Sequence, residues 1–224
     1  MAPERPDLAD LLRKSDFFHD LDDEGCGSLL RAAELRRLVR NDVLFVEGAA
    51  PTDLFVMVSG RVALANRSVD GRESVLALMI RGDLFGEMGL LDGLPRSAEA
   101  RALETSELLA IPYEPVRALF EEDPSRLWGV VRLLAGRLRT MDEALADSVF
   151  LDVTGRTAKR LLDLAGDADE FTLPVTQEEL AGMVGASRER VNKAIASFIR
   201  LGWLHQSDRR YRIIERDKLA LRAR

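Results

Sequence analysis

The spacing of apolar positions changes character along the chain. Over residues 7 to 40 they recur at helical intervals, as Leu8, Leu11 and Leu12 and then Leu29, Leu30, Ala33 and Leu38, which predicts short helices. From Asn41 to Pro112 the pattern becomes short runs, VLFV, LFVMVSG, RVALANR, ESVLALMI and SELLAIP, parted by turn residues. Such runs predict strands. Gly48, Gly60, Gly71, Gly82 and Gly93 return every 11 or 12 residues, and VDGRE carries an Asp-Gly hairpin signal at Asp70 and Gly71. Together they predict a small antiparallel β-roll.

After Pro124 no proline interrupts the chain up to Phe150, and Leu127, Val131, Leu134, Leu138, Met141, Leu145 and Ser148 alternate intervals of four and three. A period of 3.5 is the seam of a left-handed coiled coil, for which the simplest partner is a second copy. The polar Ser148 predicts that the seam loosens at its end. FLDVTGRTAKRLLDLAG then reads as a junction and a helix with Ala158, Leu161, Leu162 and Ala165 on one face, stopping at Gly166.

Beyond it, TQEELAGMVGASRERVNKAIASFIRLGWL holds two helical periodicities broken at Gly185 to Ser187. Thr176 with Glu179 forms a capping box, Ser187 caps the second helix, and Val191, Ile195 and Phe198 face inward. This is a helix-turn-helix pattern. Trp203 to Gln206 and Tyr211 to Ile214 flank SDRR as a two-stranded wing. The predicted fold class is α+β: a roll with leading helices over residues 1–123, a dimerisation helix over 124–150 and a winged helix-turn-helix over 151–224.

Charge sharpens this picture. The chain carries a net −6, yet from Gly155 onward 14 Lys and Arg face 10 Asp and Glu, against 18 and 28 before it. Any contact with nucleic acid is therefore local. A single cysteine, Cys26, excludes an internal disulfide and an iron–sulfur cluster, and the only histidines, His19 and His205, lie outside the roll and the long helix. Haem sensing and a metal-dependent barrel enzyme are disfavoured on that ground. MAPERPDLADLLRKSD lacks a basic region followed by an apolar core, and VLALMI at Val75 to Ile80 is too short to cross a bilayer. The expectation is a soluble cytoplasmic protein without a membrane partner, metal or enzymatic activity.

Two stretches carry candidate chemistry. At the start of the second helix, Arg188, Glu189, Asn192 and Lys193 lie opposite the apolar face, where a recognition helix meets bases. Arg can take guanine O6 and N7, Glu can accept from cytosine N4, and Lys can reach guanine or phosphate. The plainer alternative is a solvated helix face. The second stretch is DLFGEMGLLDGLPRSAEARA, Asp83 to Ala102, with Gly86, Gly89, Gly93, Ser97, Ala98 and Ala100 keeping bulk low around Glu87 and Arg96. A helical turn at Gly86 to Leu91 and the Arg96 cation suit a phosphate, while Glu87 suits a ribose hydroxyl. A surface ion pair in a glycine-rich turn is the alternative.

These segments resemble the CRP/FNR family of bacterial transcription regulators, in its cyclic AMP receptor branch. FGEMGLLDGLPRSA is similar to the family's phosphate-binding cassette, FLDVTGR to its interdomain hinge and TQEELAGMVGASRERVNKAI to its DNA-reading motif. The resemblance implies a ligand site of Gly86, Glu87, Met88, Arg96, Ser97 and Ala98, with cyclic AMP or a related cyclic nucleotide as allosteric ligand. It implies a homodimer whose Ser187, Arg188, Glu189, Asn192 and Lys193 meet double-stranded DNA at a TGTGA-like palindrome, and RNA polymerase as a partner. Lys193 stands where many members have Arg. Met141 and Asp142 stand where cyclic AMP-responsive members have Thr followed by Ser or Asn against the adenine. Asp142 can accept from adenine N6–H or take guanine N1–H and N2–H together, so cyclic GMP, a cyclic dinucleotide and an unused pocket stay open. Core packing for Met141 and a solvated flank for Asp142 stay open as well.

Overall fold

A strand that is apolar at consecutive positions needs cover on both faces. The computed structural model, which describes residues 8–67 and 73–224, supplies it. Helices α1 (Leu8–Lys14) and α2 (Asp23–Ala32) lead into β1 (Glu34–Leu38), β2 (Val43–Phe45), β3 (Asp53–Ser59), β4 (Val62–Arg67), β5 (Glu73–Met79) and β6 (Leu84–Phe85). Then come α3 (Met88–Asp92), β7 (Glu99–Ala102), β8 (Ser106–Pro112), α4 (Tyr113–Glu122) and the long α5 (Leu127–Phe150). The chain divides into two compact units; one boundary lies inside α5 between Leu138 and Arg139, and the segment 67–75 is grouped with the second unit.

The roll has two four-stranded sheets, ordered β1-β8-β3-β6 and β2-β7-β4-β5. Alternate residues of β3 and β8 serve two cores. Phe55, Met57, Leu108 and Ala110 pack between the sheets with Val62, Phe85 and Ala100. Leu54, Val56, Leu109 and Ile111 face the other way, against Leu11, Leu12, Phe17, Phe18, Leu29, Val116 and Val130 from the helices. That is why LFVMV and LLAI show no polar alternation. Gly48, Gly60, Gly82 and Gly93 all have positive φ, as the turn rhythm requires. The Asp70-Gly71 hairpin lies outside the described residues.

Helical spacing fails at one place. Residues 34–38, expected within a helix, form β1, because α2 ends at Ala32 with an extended C-cap at Ala33, and the following backbone pairs antiparallel with β8, Glu34 opposite Ala110. Leu38 packs against the core between the sheets instead of completing a helical face.

Along α5 the apolar seam is exposed: Leu138, Met141 and Leu145 are 60%, 68% and 64% accessible. Near its end Val149 is also exposed, and Ser148 Oγ donates back to the Leu145 carbonyl at 2.8 Å.

The second unit contains α6 (Val153–Ala165), β9 (Glu170–Thr172), α7 (Gln177–Val184), α8 (Arg188–Arg200), β10 (Leu204–Ser207), β11 (Arg210–Ile213) and α9 (Arg216–Arg222). Gly166 stops α6, the Thr176–Glu179 capping box starts α7, and Ser187 Oγ accepts from Arg190 N to start α8. Between α7 and α8 the chain turns at Gly185, with φ +67°. Val191, Ile195 and Phe198 are buried as expected. The wing gains a third strand that the sequence reading lacked, β9, paired with β11. Among the described residues no helix is long and apolar enough to cross a membrane.

Candidate functional site

The cassette is built where β6 ends. Pairing of Phe85 with Phe55 fixes the strand, and Gly86 then turns the chain at φ +78°. A Cβ at Gly86 would lie 2.8 Å from Arg96 Nη1 and 3.1 Å from the Phe55 ring, so only glycine lets the guanidinium reach this backbone. Arg96 Nη1 donates to the Gly86 carbonyl at 2.7 Å and to the Tyr113 hydroxyl at 3.1 Å, and Nη2 donates to the Asp53 carbonyl at 2.7 Å. Its plane lies over the Phe45 ring, 4.3 Å from the centroid. Tyr113 also donates to the Gly86 carbonyl.

Burial dominates the electrostatics of this group. It pulls Arg96 below the usual guanidinium value, opposed by the Tyr113 hydroxyl and by Asp53. The side chain nonetheless stays cationic at neutral pH. Burial likewise raises the Tyr113 phenol, which keeps its proton available for donation.

Glu87, beside Gly86, is fully buried. Its Oε1 accepts from Arg137 Nη1 on α5, whose Nη2 donates to the Leu84 carbonyl at 2.6 Å. The other oxygen, Oε2, is buried and has no hydrogen-bond partner, and neither has Arg96 Nε. A buried polar atom left unpaired costs about 1–3 kcal/mol, more when charged. One vacant acceptor and one vacant donor therefore lie in the same cassette. They fit a ligand that brings a hydroxyl and an anionic oxygen.

The structure brings Gly86, Glu87 and Arg96 together around these atoms. Met88 and Ser97 sit at the cassette surface, both exposed, with Ser97 Oγ 3.6 Å from Met88 Sδ. Ala98 is buried, and Ala100 and Ala102 fill the inside of β7. Part of the smallness read as a ligand cradle is thus core packing between sheets. Met141 and Asp142 are exposed on the part of α5 that belongs to the second unit. Sequence reasoning missed Arg137 and Tyr113. Arg137 offered one signal: it precedes Met141 by one helical turn and interrupts an otherwise apolar stretch of α5.

In the second unit, Ser187, Arg188, Glu189, Asn192 and Lys193 are all exposed at the start of α8. Lys193 Nζ lies 2.7 Å from Glu189 Oε1, with both side chains about three-quarters exposed, and this contact lowers the Glu189 pKa. Such an exposed surface pair is weak, so other polar groups can compete for either head. A cleft of about 370 Å³ opens beside them, lined by Thr176, Gln177, Arg188, Arg209 and Tyr211. Gln177 Nε2 donates to the Tyr211 hydroxyl there at 2.7 Å. This cleft belongs to the winged face and not to the cassette.

Residues 35–123 match the cyclic nucleotide-binding domain family, and residues 155–222 match the Crp-like helix-turn-helix domain family. The CRP-like cAMP-activated global transcriptional regulator of Mycobacterium tuberculosis is 34% identical over 97% of this chain and all of its own length. Among solved structures, the catabolite activator protein of Thermus thermophilus is 33% identical, covers 93% of this chain and 98% of its own, and superposes with a TM-score of 0.54. The c-di-GMP responsive global regulator CLP of Xanthomonas campestris is 28% identical, with 86% and 99% covered and a TM-score of 0.75.

The Glu87–Arg137 pair yields a direct prediction. Arg137→Leu strands a fully buried carboxylate and is expected to lower stability by roughly 2 kcal/mol, less than for a fully buried pair because Arg137 is one-third exposed. Urea denaturation measures it, and adding Glu87→Gln in the same chain should recover much of the loss. Equal stability of Arg137→Leu and the unsubstituted protein contradicts the pairing.

Proposed function

The chain belongs to the CRP/FNR family of transcription regulators, and from that premise we propose that it is a homodimeric DNA-binding regulator gated by cyclic AMP. Residues 1–123 sense the ligand, 124–150 form the dimer seam and 151–224 read DNA. The observation that carries the ligand reading is the pair of vacant atoms, Glu87 Oε2 and Arg96 Nε. In a 3′,5′-cyclic nucleotide the 2′-hydroxyl is the one ribose hydroxyl left free. It donates to Glu87 Oε2, and the cyclic phosphate pairs with the Arg96 cation. Arg137 then orients Glu87 from α5, so one helix bears both on the ligand and on the dimer seam.

Base recognition falls to Met141 and Asp142, one turn beyond Arg137 on α5. Met141 packs against the purine and Asp142 accepts from adenine N6–H. A second reading, control by a guanine nucleotide, has specific support: Asp142 can take guanine N1–H and N2–H together, and the similar regulator CLP is described as c-di-GMP responsive.

On DNA, Arg188 takes a guanine bidentately, while Glu189 and Lys193 exchange their mutual pair for bases of a TGTGA-like half-site. Lys brings a point charge where Arg brings a fork, so its guanine contact is the weaker one. Asn192 and Ser187 add contacts beside them. The exposed seam of α5 pairs with a second copy, and the two recognition helices then meet half-sites one DNA turn apart. In this reading the protein works in the cytoplasm, through RNA polymerase and without catalysis of its own.

Calorimetry with cyclic AMP and cyclic GMP tests the ligand. Arg96→Ala should weaken both nucleotides about 10- to 100-fold, because both share the phosphate. Met141→Thr with Asp142→Ser should instead change their ratio in favour of cyclic AMP. Unchanged binding in Arg96→Ala sinks the cassette reading.

For DNA, Arg188→Ala should cost about 1–3 kcal/mol on a TGTGA-type palindrome and relax preference at one guanine. A gel-shift series over single-base variants reads both effects. Identical affinity and an unchanged preference profile would count against α8 as the reading helix.

A further inference from the structure

Two residues, Leu151 and Asp152, join α5 to α6. A link this short still has several soft backbone dihedrals, so other contacts must set the angle between the helices. Within the joint, Lys159 Nζ of α6 lies 2.5 Å from Asp147 of α5. Arg156 Nη1 donates to the Leu151 carbonyl at 2.7 Å, and its Nε to the Val184 carbonyl at the end of α7 at 2.9 Å. Asp152 itself caps α6, accepting from Gly155 N at 2.8 Å.

The remaining contact comes from seventy residues further along. Arg222, at the end of α9, donates through Nη2 to both oxygens of Asp152. Bonding by Gly155 N–H, and with it the Arg222 guanidinium, holds the Asp152 carboxyl below its usual range against a partial opposing effect of burial. The other end of α9 is fixed as well. Arg216 donates to the carbonyls of Gly166 and Ala168 at 2.9 and 2.8 Å and pairs with Asp169 at 3.1 Å, where α6 stops. Between the two arginines, Leu219 is completely buried. A Cβ on Gly155 would lie 3.0 Å from the Arg222 carbonyl, so α9 closes on the first turn of α6 through backbone as well as side chain.

We propose that α9 is a strap across the joint between α5 and α6, and that Arg222 is the positioning residue that holds the capping carboxylate, and so the joint, in one geometry. Only its functional consequence rests on the reading of the chain as a nucleotide-gated DNA binder. In that reading the joint passes ligand occupancy on to α8, and a looser joint passes it on less completely. Arg222 belongs to the second unit and is not one of the proposed ligand residues, so its role is in coupling and not in ligand capture.

Hydrogen exchange on the full-length chain tests the strap without any ligand. In Arg222→Ala the amides of Val153 to Gly155 should exchange at least about fivefold faster, while those of Val191 to Phe198 in α8 stay unchanged; Arg222→Lys should fall between. Unchanged exchange at Val153 to Gly155 overturns the proposal. So does an equal rise across α8, which would make Arg222 a prop of the whole domain.

A second measurement reads the consequence. Nucleotide affinity without DNA should stay within twofold of the unsubstituted chain, while the gain in DNA affinity at saturating cyclic AMP falls at least threefold, with partial rescue by Arg222→Lys. A full gain in Arg222→Ala contradicts the coupling role. Should no nucleotide bind the unsubstituted chain, the proposed function fails and the exchange result still decides the strap.

Discussion

Two opposite charges buried within one small roll, Glu87 and Arg96, set the terms for everything around them. A buried charge is tolerated only where the protein supplies partners. Here the supply comes from distant places: carbonyls of Asp53 and Gly86, the Tyr113 hydroxyl, two aromatic rings and Arg137 from α5. The double core over β3 and β8 makes those positions rigid, since both faces of each strand are packed. Satisfaction still falls short by one donor and one acceptor, and in the proposed reading that deficit is what a cyclic nucleotide fills.

The same comparison explains what could be read from the chain. Runs such as LFVMV and LLAI, glycines at regular turns, the Thr176–Glu179 box and the inward face of α8 were legible, because local patterning and tertiary role agree there. Strand β1 was not, since ELRRL owes its conformation to pairing with β8, not to its own pattern. Ala100 of β7 looked like room for a ligand, and it is buried in the core between the sheets. Arg137 could not be recognised from spacing alone: its meaning depends on a carboxylate fifty residues away. Helix α9 escaped notice for a similar reason, as only Leu219 is buried and its anchoring arginines look like ordinary surface charge.

The two units solve different problems. In the roll, charge is buried and organised around vacancies. In the winged unit the residues proposed to read DNA are exposed, and Glu189 with Lys193 forms a weak surface pair. Order there comes from caps: Thr176 starts α7, Ser187 starts α8 and Asp152 starts α6. A capped helix start is fixed in place by few atoms, which makes it a suitable point for one part of a chain to act on another.

The most direct test of the account is the affinity of 2′-deoxy cyclic AMP beside that of cyclic AMP, measured by calorimetry on the unsubstituted protein. Removing the 2′-hydroxyl leaves Glu87 Oε2 as it is in the free protein, buried and without a donor, while the phosphate and base contacts persist. The account predicts binding weaker by about 10- to 100-fold, as expected for losing a hydrogen bond to a charged group. Equal affinity of the two nucleotides would contradict it, because the vacant carboxylate oxygen would then play no part in holding the ligand.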